Sequence, residues 1–310
     1  MKVAFIINDF HSMDIKKDTS IYLAHEAFRR GMEVHTFNTN NISVINNQLF
    51  AKTLKLSFPS MDSLNFELQP NGSEDLTDFS CVINRVNPPF NKEYLYMTIL
   101  LDTFKIKCIN PTKALREVNE KLSILNFPEI SPITRVSADL EVIKDMFEMG
   151  FGRLVLKPLD GMGGKSIFLV NKDDKNLSVI WESMTHRGKH QIMVQEYIEE
   201  AQEGDNRIVI INGALLENKL IRIPDPKDFR GNLAAGATSK VEKVTPNDVS
   251  IAKNLIPFLN EQNIYFAGAD ILGGKLSELN ITSPTCLQEI NNNSDSNPGR
   301  VFWDNLDKFE

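Results

Sequence analysis

The chain runs to 310 residues, 42% of them hydrophobic, with 41 acidic against 34 basic residues and a formal net charge of −7. That length exceeds one simple core and suits two or three packed subdomains. Its cations are scattered, which excludes a nucleic-acid or anionic-membrane surface and leaves small molecules as the expected partners.

The N-terminal apolar run Val3–Ile7 stops at Asn8-Asp9, short of a signal-peptide core, and no window approaches the roughly 18 apolar residues of a membrane span. Cys81, Cys108 and Cys286 are odd in number, widely spaced and free of any CxxC pattern, so neither a disulfide framework nor a zinc site is indicated and a reducing cytoplasm is the expected location. Lys2–Asn8 reads as a buried strand, Ser20–Arg30 as a helix with Leu23, Ala27 and Phe28 inward and Gly31 closing it, and Glu33–Phe37 as a second strand. This is the βαβ start of a doubly wound sheet. The loop 15–20, holding Asp18 and Ser20, lies beyond the carboxyl end of the first strand, where such sheets bind ligands. Asp18 or Thr19 acting only as a helix cap is the other reading.

Asn46-Asn47 marks a turn between Ile42–Ile45 and Gln48–Leu54, and Pro59–Ser80 reads as polar and irregular. Cys81–Asn84 is a short strand running into Arg85-Val86-Asn87-Pro88-Pro89-Phe90, with a helix over Asn91–Phe104. Lys107–Ile109 follows as a strand, and Pro111 opens a helix through Lys121. The first boundary falls near Asn119, so three units are expected: 1–119 on the substrate side, 120–200 as a central lid subdomain, and 201–310 carrying the metal site and a mobile loop.

Arg153–Lys157 reads as a strand ending in lysine, followed by Asp160-Gly161-Met162-Gly163-Gly164, whose glycines let backbone approach an anion. Gly164-Lys165-Ser166 imitates the end of a P-loop, but position 159 is leucine where that motif needs glycine. A glycine hairpin after a lysine also occurs in ordinary sheets. Lys121 and Lys157, from separate elements, could together offset a triphosphate's charge. Gln191–Ile198 is apolar enough for a buried strand that could offer backbone groups to an adenine edge. The acidic run 199–203 is a solvated turn.

Asn263–Leu272 and Lys275–Ile281 read as strands around Gly273-Gly274, with Glu278 and Asn280 sharing a face. A two-residue turn pairs Leu272 with Lys275 and sends Asp270 to the opposite face; a three-residue turn pairs Asp270 with Glu278. In the second register two carboxylates and an amide oxygen converge, a hard-oxygen set suited to Mg²⁺ bound with nucleotide phosphates. A polar hairpin with one solvated face is the alternative.

These strings, with Ile223-Pro224, Arg230-Gly231-Asn232-Leu233-Ala234-Ala235-Gly236 and Asn280-Ile281-Thr282-Ser283-Pro284-Thr285, resemble the bacterial-type glutathione synthetases of the ATP-grasp superfamily over nearly the whole chain. The resemblance implies an α/β, ATP-grasp fold with an N-terminal doubly wound, Rossmann-like domain. The implied reaction is ATP-dependent ligation of γ-glutamylcysteine to glycine through an acyl phosphate. It further implies that Lys121, Lys157 and Asp160 to Gly164 meet the ATP phosphates, while Gln195, Glu196, Tyr197 and Ile198 hold adenine with Asp205 nearby. Asp270, Glu278 and Asn280 would hold Mg²⁺, as two ions or with Mn²⁺ as a substitute. Arg207 would face the transferring phosphoryl group. Arg222, Arg230, Gly231 and Asn232 would flank a closing loop at 224–236 that shields the acyl phosphate from water. Asp18, Ser20 and Arg85 would contact the peptide, and Ser283 and Thr285 the glycine or product carboxylate. The family also implies a homo-oligomer, dimer or tetramer.

The chain departs from the family's pattern in three places. Val86 and Asn87 stand where the family has a lysine and an aspartate, which removes two charges from the peptide side. Gly236 is followed by Ala237-Thr238-Ser239-Lys240 rather than glycine and arginine. At the end, 291–297 is polar and expected to be mobile, with one amphipathic helix over Val301–Phe309. Another ATP-grasp peptide ligase would keep the ATP and metal residues and differ on the peptide side. A non-catalytic, synapsin-like ATP-binding protein would lose a metal carboxylate or the phosphoryl-facing arginine, and here all of these are present.

Overall fold

The computed structural model describes residues 1–11, 13–224 and 238–306. Its first sheet comprises β1 (Lys2–Ile6), β2 (Glu33–Phe37), β3 (Ile42–Ile45), β4 (Gln48–Ser57), β5 (Glu67–Asp75), β6 (Cys81–Asn84) and β7 (Cys108–Ile109), in the order β3-β4-β2-β1-β6-β7 with β5 on β4. The parallel centre β2-β1-β6-β7 is buried on both faces, hence its continuous apolar runs. The expected βαβ start holds: α1 (Thr19–Arg29) joins β1 to β2, and Gly31 follows it with φ +73°. The hairpin at Asn46-Asn47 also holds, both asparagines taking positive φ.

The stretch 59–80 is not irregular throughout. β5 lies on β4 as a polar strand with Pro70 and Gly72 at a register shift, and an exposed strand of that composition carries no hydrophobic alternation to read. After α2 (Lys92–Thr103), α3 spans only Thr112–Glu117, with Pro111 as its N-cap, and Lys121 lies beyond it at the head of a 3-10 turn. The helix expected to reach Lys121 therefore ends early.

A four-stranded sheet follows, in the order β10-β9-β11-β8, from β8 (Thr134–Ser137), β9 (Arg153–Pro158), β10 (Phe168–Asn171) and β11 (Ile192–Glu196). α4 (Leu140–Glu148) and α5 (Leu177–Thr185) share its apolar cluster, with Ile143, Met146, Leu154, Leu156 and Val194 buried together. The third sheet contains β12 (Asp205–Ile211), β13 (Ala214–Leu215), β14 (Asn218–Ile223), β15 (Thr238–Lys243), β16 (Phe266–Leu272) and β17 (Lys275–Asn280), in the order β15-β14-β12-β16-β17 with β13 on β12. α6 (Pro246–Glu261) packs Ile251, Leu255 and Leu259 under it.

The chain then returns to the N-terminal layer. α7 (Leu287–Asn292) and α8 (Pro298–Leu306) dock on α1, and Phe302, Trp303 and Tyr265 share one core with Phe5, Leu23 and Ile83. The Trp303 indole N–H donates to the Leu23 carbonyl at 3.0 Å. The two ends of the polar stretch 291–297 meet Tyr22, whose hydroxyl lies 2.9 Å from Asn291 Oδ1 and 3.1 Å from Asn297 Oδ1 and can donate to either. The last helix accordingly starts at Pro298, not Val301. No described helix is long and apolar enough to cross a membrane.

Candidate active site

A cavity of about 270 Å³ opens between the second and third sheets. Lys121, Lys157, Gly161 to Gly164, Gln195 to Ile198, Asp205, Arg207, Arg222, Asp270, Glu278, Asn280, Ser283 and Thr285 all line it. Asp160 lines a neighbouring cavity instead. Asp18, Ser20 and Arg85 lie outside both, at the N-terminal end of α1. Arg230, Gly231, Asn232 and nearly all of the expected closing loop lie outside the described residues.

Lys157 reaches the cavity because β9 runs antiparallel to β11, and its ammonium donates to Gln195 Oε1 at 2.7 Å and to Ser277 Oγ at 3.1 Å. Gln195 is itself held by Nε2 donating to Thr134 Oγ1 at 2.9 Å. Burial pulls the Lys157 ammonium below its ordinary pKa, against the opposing pull of Glu278. Lys121 crosses from the other side and donates to the Gly161 carbonyl and, at 3.1 Å, to Glu278 Oε1. The two lysines thus converge across the glycine loop, where Gly163 and Gly164 take φ of +66° and +72°, conformations that a residue with a Cβ adopts at a cost.

Facing them is a buried cluster of two arginines and two aspartates, built by cross-strand pairing. β12 places Arg207 opposite Asp270 on β16, and Asp205 opposite Arg222 on β14. Arg207 holds both Asp270 oxygens, with Nη2 to Oδ2 at 2.9 Å, and Arg222 Nη2 reaches Asp270 Oδ1 at 2.9 Å and Asp205 Oδ2 at 2.5 Å. Room for the Arg207 side chain comes from Gly268, where a Cβ would stand 2.9 Å from Arg207 Cδ. Burial pushes Asp270 up, but Arg207 and Arg222 outweigh it and hold the carboxyl well below its usual range. For Asp205 burial wins and the carboxyl is pushed up to about 6. Asp205 Oδ1 and Arg222 Nε are buried without a partner among the described residues, so both can bond a ligand.

The β16–β17 hairpin follows neither of the two expected registers alone. Leu272 pairs with Lys275 and Ile271 with Leu276 around the Gly-Gly turn, yet Asp270 pairs with Glu278, because a bulge adds one residue to β17. The bulge lets Ser277 and Glu278 both line the cavity while Leu276 and Leu279 remain in the core. Asp270, Glu278 and Asn280 therefore share one side, with Asn280 Nδ2 donating to Asp270 Oδ2 at 3.3 Å. Two carboxylates and an amide on one cavity wall fit a hard divalent cation that takes its remaining ligands from phosphate and water. Among the described residues no group of three or more His, Cys, Asp or Glu side chains is placed to hold a metal ion by itself.

At the start of α1, Asp18 does cap the helix, its Oδ1 accepting from Ser20 N–H at 2.6 Å and Ile21 N–H at 3.2 Å. Ser20 Oγ in turn accepts from Arg85 Nε at 2.9 Å, so the three expected residues are adjacent. Val86 corrects one expectation: its side chain is buried in the core of the first layer, so only Asn87 of the departing pair reaches the cavity. Sequence reasoning missed Glu120, Ser277, Thr282 and Cys286, all of which line the cavity. Glu120 Oε1 accepts from the Ile281 and Thr282 amides at 2.8 and 2.9 Å, joining the segment before the second sheet to the end of β17. The odd register needed for Glu278 was the available signal for Ser277; nothing in the sequence marked Glu120.

Solved structures share this architecture. D-cycloserine synthetase DcsG superposes with a TM-score of 0.70 at 14% identity over 100% of both chains. The macrocyclase MdnC from Microcystis aeruginosa, bound with its precursor peptide MdnA, superposes with a TM-score of 0.65 at 12% identity, covering 99% of this chain and 100% of that one. Fold and site together define an ATP-grasp protein. The family model for the prokaryotic glutathione synthetase N-terminal domain matches residues 1–116, and that for the prokaryotic glutathione synthetase ATP-grasp domain matches residues 120–295. The glutathione synthetases of Vibrio parahaemolyticus and Vibrio cholerae are each 37% identical over 94% of this chain and 92% of their own length. That of Wigglesworthia glossinidia brevipalpis is 35% identical over 100% of this chain and 98% of its own. The chain belongs to the prokaryotic glutathione synthetase family.

Proposed function

We propose that this protein ligates γ-L-glutamyl-L-cysteine to glycine, with ATP converted to ADP and phosphate. The observation that carries the reading is the convergence of Lys121, Lys157, Arg207, Asp270 and Glu278 on one cavity, in a chain of this family. In the first step a cysteinyl carboxylate oxygen attacks the γ-phosphorus and ADP leaves. In the second the glycine amine attacks the acyl carbon, loses a proton and expels phosphate.

Lys121, Lys157 and the loop 160–164 bind the phosphates; Gln195 to Ile198 and Asp205 hold the nucleoside. Arg207, fixed by Asp270 before the substrate arrives, favours charge developing on the transferring phosphoryl oxygens, because its orientation needs no reorganisation in the reaction. Asp270, Glu278 and Asn280 would hold a divalent cation, which would neutralise phosphate charge; we extend this to two Mg²⁺ ions, replaceable by Mn²⁺. Asp18, Ser20, Arg85 and Arg222 bind the peptide, and Ser283 and Thr285 the glycine or product carboxylate. Arg230, Gly231 and Asn232 complete the closure over the acyl phosphate. The division at about residues 119 and 200, a cytoplasmic location and a homo-oligomeric state belong to the same reading.

ADP release measured with Mg-ATP, γ-glutamylcysteine and glycine, each omitted in turn, tests it, with the product weighed by mass spectrometry. ADP release that needs all three and yields glutathione is the expected result. ADP release without glycine would move the acceptor assignment, and no release with any combination would overturn the reading.

A further inference from the structure

Five carboxylates stand on the cavity wall, and four of them already hold a cation. Asp205 and Asp270 hold the two arginines, Glu278 holds Lys121, and Glu196 holds Lys275. Glu120 is the exception: its bonds among the described residues are all to the end of β17 and the turn after it, and none is to a cation. Its main-chain carbonyl accepts from the Leu279 amide at 2.9 Å, and Oε1 accepts from the Ile281 amide at 2.8 Å, the Thr282 amide at 2.9 Å and Thr282 Oγ1 at 2.8 Å. Three donors on one oxygen fix the rotamer and favour the ionised carboxylate. Oε2 accepts no hydrogen bond among the described residues. The turn that supplies the donors continues into Ser283 and Thr285, which line the same cavity. An amino acid enters such a site as an ammonium, and an ammonium has no lone pair with which to attack carbon. The neighbouring Cys286 thiol cannot take that proton, because burial pushes it up and keeps it protonated.

We propose that Glu120 is the general base of the second step, its Oε2 taking a proton from the glycine ammonium before the nitrogen attacks. The inference rests on the ligase reading and assigns the residue that makes the acceptor a nucleophile. The ammonium gives one proton to Glu120. Its freed lone pair then forms the C–N bond as the bond from the acyl carbon to the phosphate oxygen breaks. A second proton leaves the nitrogen with the departing phosphate, the remaining hydrogen stays as the amide N–H, and Glu120 returns its proton to water once the product has left. Glu120 touches the reacting amine and is catalytic in this scheme, whereas Thr282 acts through it and is a positioning residue. A general base of this kind contributes about 100-fold or more to rate.

The test changes the nucleophile. Hydroxylamine is uncharged at neutral pH, so it attacks the acyl phosphate without a base and gives a hydroxamate. Wild type and Glu120→Gln, which keeps an oxygen for the Ile281 and Thr282 amides, are compared with Mg-ATP and γ-glutamylcysteine plus either glycine or hydroxylamine. Glu120→Gln should form glutathione about 100-fold or more slowly and hydroxamate within about 3-fold of the wild type. Thr282→Val removes one donor from Oε1 and should show the same split at about 3- to 10-fold, and it decides alone if Glu120→Gln does not fold. Equal losses with both nucleophiles would make Glu120 a structural brace and overturn the proposal. An undiminished glycine rate would also overturn it, leaving the proton to a phosphate oxygen. A wild type that forms neither product would overturn the ligase reading itself.

Discussion

Arg222 donates to Asp270 at 2.9 Å although the two residues sit on strands that do not pair, with β12 running between them. The contact is possible because Asp205 and Arg207, two residues apart on β12, share a face with both. Asp270 is therefore held from two sides, and what reads in sequence as a metal carboxylate is also the anchor of two arginines.

Asp270→Asn should remove the charge that satisfies Arg207 and Arg222 and leave both cations buried. Breaking a buried pair of this kind costs about 3–5 kcal/mol. The expected result is a large fall in the urea midpoint together with loss of turnover. A midpoint unchanged from the wild type would mean that the two arginines find other partners.

Glu278 is the more exposed carboxylate of the pair, its side chain 24% accessible, and its one described contact is with Lys121. Glu278→Ala should therefore abolish turnover while circular dichroism stays native and stability drops by about 1–2 kcal/mol. Near-normal activity would remove Glu278 from the metal set.

The bulge in β17 separates two effects that a point substitution cannot. Ser277→Ala deletes one acceptor of the Lys157 ammonium and should cost about 1–2 kcal/mol with partial activity retained. Deleting residue 277 makes the pairing from the Gly-Gly turn continuous, with Glu278 still opposite Asp270 and Leu279 still opposite Ala269, so it removes the bulge and the Ser277 hydroxyl without moving the register beyond them. This deletion should keep cooperative thermal unfolding, because the core-facing pairs are retained, and should lower activity more than Ser277→Ala does. A deletion variant as active as Ser277→Ala would show that the bulge is dispensable.

Asp205 supplies a pH dependence. Its carboxyl is pushed up to about 6 by burial, above the 3.8 of an exposed aspartic acid, so the folded state binds the proton more tightly than the unfolded state. Stability contributed by that proton is present below about pH 4 and is lost as pH rises to about 6, a change on the order of 3 kcal/mol. Urea unfolding of wild type and Asp205→Asn at pH 4, 5, 6 and 7 checks the sign: the wild type should lose stability relative to the variant across this interval and run parallel above it. A difference that grows in the opposite direction would place Asp205 below its ordinary pKa.

Much of the site was legible because its residues are local in sequence. The lysine closing β9, the glycines after it and the Glu278–Asn280 alternation are each short patterns with a direct chemical reading, and all of them line the cavity. Strand β5 was not legible, because a polar edge strand has no apolar period. The contact of Asn291 and Asn297 with Tyr22 joins positions hundreds of residues apart in the chain, so no local pattern could announce it.

By itself the sequence determined which groups are present: two lysines, two arginines, the carboxylates of Asp205, Asp270 and Glu278, the Asn280 amide and a glycine loop, on strands whose apolar runs must be buried. Only the tertiary structure decided their partners. Register on β12 matched Arg207 to Asp270, and a one-residue bulge turned Glu278 onto the same wall as Asp270. The return of the last two helices to α1 brought Gln288 and Glu289 beside the layer that carries Arg85. Such pairings are settled by long-range burial, which sums over the whole core and leaves no short signature in the chain.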